Sequence, residues 1–223
     1  MKRLGYLSLI TLVLTVTWLV LLIASLSRAG PLDTFEQVLA YVAQLDALFY
    51  LSYINSALIV VPIAILFCVL YRRYREAAPY STLVGLVFVP VYATLNLFAY
   101  LSQITIVPGL MALRQQPEYQ AAADVLLRQM IQQWPESGVA FFNGLAYAVL
   151  GIPSIIFGVL MFRQTPLLKW AGVLLALNGA ACILGVVGFL TRGDLLSMGT
   201  VAGGVLFLLA LIPMSRLAFL EIR

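Results

Sequence analysis

Long uninterrupted apolar runs alternate with short polar stretches along the whole chain. Charged residues bound six of these runs, from Arg3 to Arg28, Asp46 to Arg72, Glu76 to Arg114, Glu136 to Arg163, Lys169 to Arg192 and Asp194 to Arg216. None falls inside them. About 20 apolar residues in a helix cross the roughly 30 Å hydrocarbon layer of a bilayer. A segment in lipid must satisfy its own backbone or close into a barrel, and runs this long without strand-like alternation predict helices. The expected spans are residues 4–27, 47–71, 80–105, 138–162, 170–191 and 195–215. The third run exceeds one span; Pro79 is suited to open its helix and Val107-Pro108-Gly109 to close it.

Two longer polar segments interrupt the pattern. The first offers a capping-box pair, Asp33 and Glu36, followed by Phe35, Val38, Leu39 and Val42, and predicts a short amphipathic helix over 33–45. The second places Leu126, Leu127, Met130, Ile131 and Trp134 on one side and Gln120, Asp124, Arg128 and Gln132 toward the other. It predicts a second such helix over 118–134, lying on the membrane surface or over the mouth of the bundle.

Charge adds an orientation. Lys2, Arg3, Arg72, Arg73, Arg75, Arg163, Lys169, Arg216 and Arg223 fall on one side, against Arg28, Arg114, Arg128 and Arg192 on the other. Nine basic residues against four put both termini in the cytoplasm and both amphipathic helices outside. The first run begins Met1-Lys2-Arg3, as a signal peptide would, but its uncharged core is longer than a signal h-region and reads as a retained helix. Composition agrees: 63% of the 223 residues are hydrophobic, 10% are charged and the mean hydropathy is +1.03. The net charge of +4 is a topology signal, and no nucleic-acid partner is expected.

Chemistry inside the membrane is neutral. Tyr92, Asn96, Tyr100 and Gln103 share one face of the third span, and Asn143, Tyr147, Gly151 and Ser154 one face of the fourth. Ser52, Asn55 and Ser56 belong to the second span and Asn178 to the fifth. Amides and hydroxyls in hydrocarbon need partners, so these faces either bond neighbouring helices or line a cavity for a neutral amphipathic guest such as a lipid or quinone. The candidate cavity residues are Ser52, Asn55, Tyr92, Asn96, Tyr100, Gln103, Asn143, Tyr147, Ser154 and Asn178. No intramembrane acid or base is present to relay protons or hold an ion. Histidine is absent, Cys68 and Cys182 have no ligand-like spacing, and no nucleophile elbow, phosphate loop or zinc-protease motif occurs. The chain is therefore expected to be non-enzymatic, with no cofactor, no metal and no catalytic residues.

Two further patterns concern assembly. Gly199 and Gly203 form a GxxxG in the last span, suited to close helix contact within the bundle or between copies. Pro62 precedes Arg72 by the interval that separates Pro153 from Arg163, and Gly85 and Gly172 follow in the next spans. That suggests a duplicated unit with an axis along the membrane normal.

Residues 158–163, Gly-Val-Leu-Met-Phe-Arg, with 166–174, Pro-Leu-Leu-Lys-Trp-Ala-Gly-Val-Leu, and Asn178-Gly179 resemble the fourth and fifth helices of uncharacterised bacterial six-helix membrane proteins of unknown function. The resemblance implies a bacterial inner-membrane location and no particular mechanism. The expected protein is thus an all-α, polytopic, single-domain bundle of six transmembrane helices. Its leading expected role is an accessory subunit or homo-oligomer in a larger membrane complex, surrounded by membrane lipids. The alternative is a carrier or receptor for a neutral amphipathic molecule between the second and fifth helices.

Overall fold

The computed structural model describes residues 2–219, and every regular element among them is helical. These are α1 (Lys2–Ala29), α2 (Phe35–Val42), α3 (Ala47–Tyr74), α4 (Pro79–Arg114), α5 (Gln120–Met130), α6 (Gly138–Met161), α7 (Pro166–Thr191), α8 (Asp194–Ser197) and α9 (Gly199–Arg216). Six helices, with α8 and α9 counted together, are long and apolar enough to cross a membrane. The protein is a multi-pass helical membrane protein. Val13, Val20, Ile23, Leu51, Leu58, Val87 and Leu190 point outward, and a surface this apolar suits lipid rather than water. Arg223, counted above among the basic residues, lies outside the described residues.

The six long helices form a ring in which each packs on its neighbours in sequence and α9 returns to α1. Lipid supplies no hydrophobic drive between helices, so close approach depends on small residues. On α6, Gly151 and Gly158 face Gly179 and Gly172 of the antiparallel α7. A Cβ at Gly158 would lie 2.6 Å from the Gly172 carbonyl oxygen, and one at Gly151 would lie 2.6 Å from that of Gly179. Gly199 and Gly203 face α7 in the same way, against Ala181, Gly185 and Cys182. Gly5 brings α1 onto Leu217 and Ala218 after α9 and closes the ring.

Three expected boundaries shift. The third spanning helix does not stop near residue 105 but runs to Arg114, through Pro90 and Pro108. Proline removes one backbone bond and is tolerated where neighbouring helices support the segment. Here α5 does so, with Asp124 accepting from Arg114 Nε at 2.5 Å. The first short helix is capped one residue later than expected. Thr34, not Asp33, is the N-cap, and Gln37, not Glu36, completes the box, its carbonyl oxygen accepting from the Asp33 and Thr34 amides at 2.9 and 3.0 Å. The second ends at Met130 rather than 134, and its buried side is Ala123 and Leu127, continued by Ile131, while Leu126 stays 47% exposed.

The duplicated unit has structural counterparts. Asp46 and Ser137 side chains cap α3 and α6, Pro62 and Pro153 each lie 15 residues beyond Ala47 and Gly138, and α4 and α7 both open at a proline. The glycines do not correspond. Gly85 meets Phe157 and Pro153 of α6 from one flank, and Gly172 meets Gly158 of α6 from the other.

Gly158→Ala should lower the thermal midpoint in detergent by the equivalent of about 2 kcal/mol, because the added methyl meets backbone that cannot yield. Gly109→Ala, where nothing lies within 4 Å, should be neutral or slightly stabilising.

Candidate functional site: a neutral polar core

Helix periodicity carries Tyr92, Asn96 and Tyr100 to one face of α4, and the ring turns that face inward. All three are buried. Across from them the Tyr147 hydroxyl of α6 lies 2.6 Å from that of Tyr100, and its ring centroid is 6.3 Å from that of Tyr92. Tyr53 of α3 extends the group, 6.5 Å from the Tyr100 ring and 5.0 Å from Phe49. The result is an aromatic chain through three helices with hydroxyls inside.

At its centre Asn96 is 0% exposed, and its amide makes no well-formed hydrogen bond to the protein, its nearest polar neighbour being the Tyr92 hydroxyl one turn back on α4. Asn143 Oδ1 and Ser154 Oγ on α6 are also buried and unpartnered. Most hydroxyls in these helices bond the carbonyl one turn back, as Ser8, Thr11, Ser52, Ser56 and Thr82 do. Ser154 does not. A poorly paired amide in a low-dielectric interior costs about 1–3 kcal/mol, which sets these groups apart from the satisfied polar residues of the spans.

The other polar residues of the spans go elsewhere. Asn55 donates to the Leu14 carbonyl at 3.0 Å and Ser52 lies 3.5 Å from Ser25, so both join α3 to α1. Asn178 donates to the Gly203 carbonyl at 2.9 Å and joins α7 to α9. Gln103, 0% exposed, donates to the Met130 carbonyl at 2.8 Å and accepts from the Gln132 amide at 3.1 Å. It takes over the backbone groups that a longer α5 would use, which is why α5 ends there.

Both ends of the core are closed. Toward the α3–α4 turn, the buried rings of Phe67 and Phe157 meet across the ring at 5.9 Å. At the opposite end α2 buries Phe35, Val38, Leu39 and Val42, and the Phe35 ring stands edge-on to Trp134 at 5.6 Å. Arg128 of α5 lies 4.3 Å over the Phe35 ring and 3.4 Å from Glu36, and Arg28 pairs with Asp46 at 3.3 Å. The cover is flanked by Gly30 and Leu45, both with positive φ (65° and 41°).

Residues 4–219 match a family described as Domain of unknown function (DUF4386). The chain belongs to that family. No curated protein and no solved structure matches it.

In this DUF4386 chain, Tyr92, Asn96, Tyr100 and Tyr147 come together, and half-buried Asn143 and buried Ser154 share α6 with Tyr147. Ser52, Asn55, Gln103 and Asn178 instead hold other contacts. Tyr53, Trp134 and Gln133, whose Oε1 is also buried and unpartnered, were not among the expected site residues. The Phe49–Tyr53–Ala57 spacing was the available signal for Tyr53, since intervals of four place the three on one helix face. Among the described residues no group of His, Cys, Asp and Glu is placed to hold a metal ion.

In protein stripped of bound small molecules, Asn96→Leu should raise the thermal midpoint by the equivalent of about 1 kcal/mol or more, because it removes a poorly paired amide from an apolar setting. Asn178→Leu should lower it, since it breaks an existing interhelical bond. Thermal unfolding in one detergent measures both.

Proposed function

We propose that this DUF4386 protein is a non-enzymatic membrane carrier or receptor that holds a small neutral molecule between α3, α4 and α6. The observation that carries the reading is Asn96, a fully buried amide at the centre of the ring that makes no well-formed hydrogen bond to another helix. Six other residues contribute neutral hydrogen-bonding groups along the interior, and no charged residue lies within the runs. A guest matched to this core carries at least one donor and one acceptor beside an apolar body, as an amide, alcohol or hydroxylated ring does. Guest binding would offset the desolvation of the amide and favour a conformation in which the α2 cover and the α4–α6 faces separate.

Assembly through Gly199 and Gly203 has less support, because α7 already occupies that face of α9. The basic-residue count further favours a topology with both termini in the cytoplasm and with α2 and α5 as amphipathic helices on the outer face of a bacterial inner membrane. The guest would then be reached from the outer side.

Protein purified in mild detergent and extracted for mass spectrometry should yield a neutral small molecule in near-stoichiometric amount. The extract of Asn96→Leu should lack it. A compound retained equally by that variant would exclude the core as its site. For orientation, Gln116→Cys and Gln164→Cys in a Cys68→Ser background distinguish the two sides. An impermeant maleimide applied to intact cells should label only the former.

A further inference from the structure

The second ligand site lies at the opposite end of the bundle from the α2 cover. An open depression of ≈ 490 Å³ separates the end of α3 from the start of α4, lined by Tyr71, Arg75, Glu76, Pro79, Tyr80 and Leu83. We propose that it binds a phospholipid whose headgroup carries both a phosphate and a primary ammonium, the chemistry of phosphoethanolamine.

Charge sets the headgroup. The three ion pairs among the described residues all lie at the α2/α5 end, so Arg75 and Glu76 have no protein ion-pair partner there. Arg75 offers a planar fork of donors to a phosphate. Arg72, Arg73, Arg163 and Lys169 reinforce the positive field at this end, and Glu76 is the single carboxylate among its described residues. A carboxylate beside that phosphate site disfavours a purely anionic headgroup and accepts N–H bonds from an ammonium. Tyr71 and Tyr80, the latter 86% exposed, add ring faces for the same cation.

Apolar surface sets the rest of the ligand. Leu83 and Val87 continue outward on α4 from the depression, one turn apart and both exposed. Acyl chains leaving the headgroup would run along that face within the bilayer. A free soluble phosphate would use Arg75 alone and leave this surface unoccupied.

The site is separate from the polar core and does not depend on its ligand. The full-length protein in detergent, titrated under native mass spectrometry with phosphatidylethanolamine, phosphatidylglycerol and phosphatidylcholine of equal chain length, tests it. Phosphatidylethanolamine should bind at least about threefold more tightly than phosphatidylcholine, the scale of an exposed ion pair. Arg75→Gln should weaken both phosphatidylethanolamine and phosphatidylglycerol, and Glu76→Gln should erase the preference between them. Arg128→Gln, at the far end, should leave binding unchanged. Equal binding of the three lipids, or a preference that survives both Arg75→Gln and Glu76→Gln, would overturn the proposal. Displacement of the lipid by inorganic phosphate as readily as by soluble phosphoethanolamine would overturn the ammonium assignment.

Discussion

A polar group placed in hydrocarbon must find its partner inside the protein, and that requirement organises the bundle. Most serine and threonine hydroxyls of α1, α3 and α4 turn back onto carbonyls of their own helices. Three of the amides reach across to other helices. Asn55 ties α3 to α1, Asn178 ties α7 to α9, and Gln103 clamps the backbone after α5. The first two each close one joint of the ring, and Gln103 fixes α5 against α4. Asn96 has the same chemistry and a similar burial but bonds no other helix, and this contrast supports the proposed role of the core.

Helix approach follows a second rule, that backbones come together only where side chains are missing. Both the α6–α7 seam and the α7–α9 seam are built this way, with glycine carbonyls in the first and the Ala181 carbonyl, Cys182 Sγ and Thr200 in the second standing where a Cβ would otherwise fit. This half of the bundle has no freedom to absorb extra volume. At the α2/α5 end the contacts are of another kind. Ion pairs on partly exposed side chains and one arginine over an aromatic ring rim the cover, and such pairs contribute at most about 1 kcal/mol each. Leu45 in the left-handed region at the end of α2 stores further strain beside it. The cover is held mainly by the burial of Phe35, Val38, Leu39 and Val42, with the ion pairs a minor addition at its rim.

The two ends also differ in electrostatics. Acidic residues and their arginine partners gather around the cover and neutralise one another. Among the described residues the turn end carries cations in no ion pair and the single carboxylate Glu76, an arrangement suited to phosphate headgroups. Between them the interior is uncharged. A neutral guest in the middle and lipid headgroups at one rim are therefore readings of two different fields in one chain.

By itself the sequence determined six spanning helices, because uncharged runs with charged ends leave the backbone no other way through lipid. It also placed Tyr92, Asn96 and Tyr100 on one face, since a helical repeat needs no tertiary information. The end of α4 was not legible: Pro108 and Gly109 carry a stop signal, and only the support of α5 and the Arg114–Asp124 pair overrides it. The roles of the buried amides were equally hidden. Asn55, Asn96, Gln103 and Asn178 look alike as intramembrane amides, and what separates them is whether a carbonyl from another helix stands within about 3 Å. That distance exists only once the ring has closed.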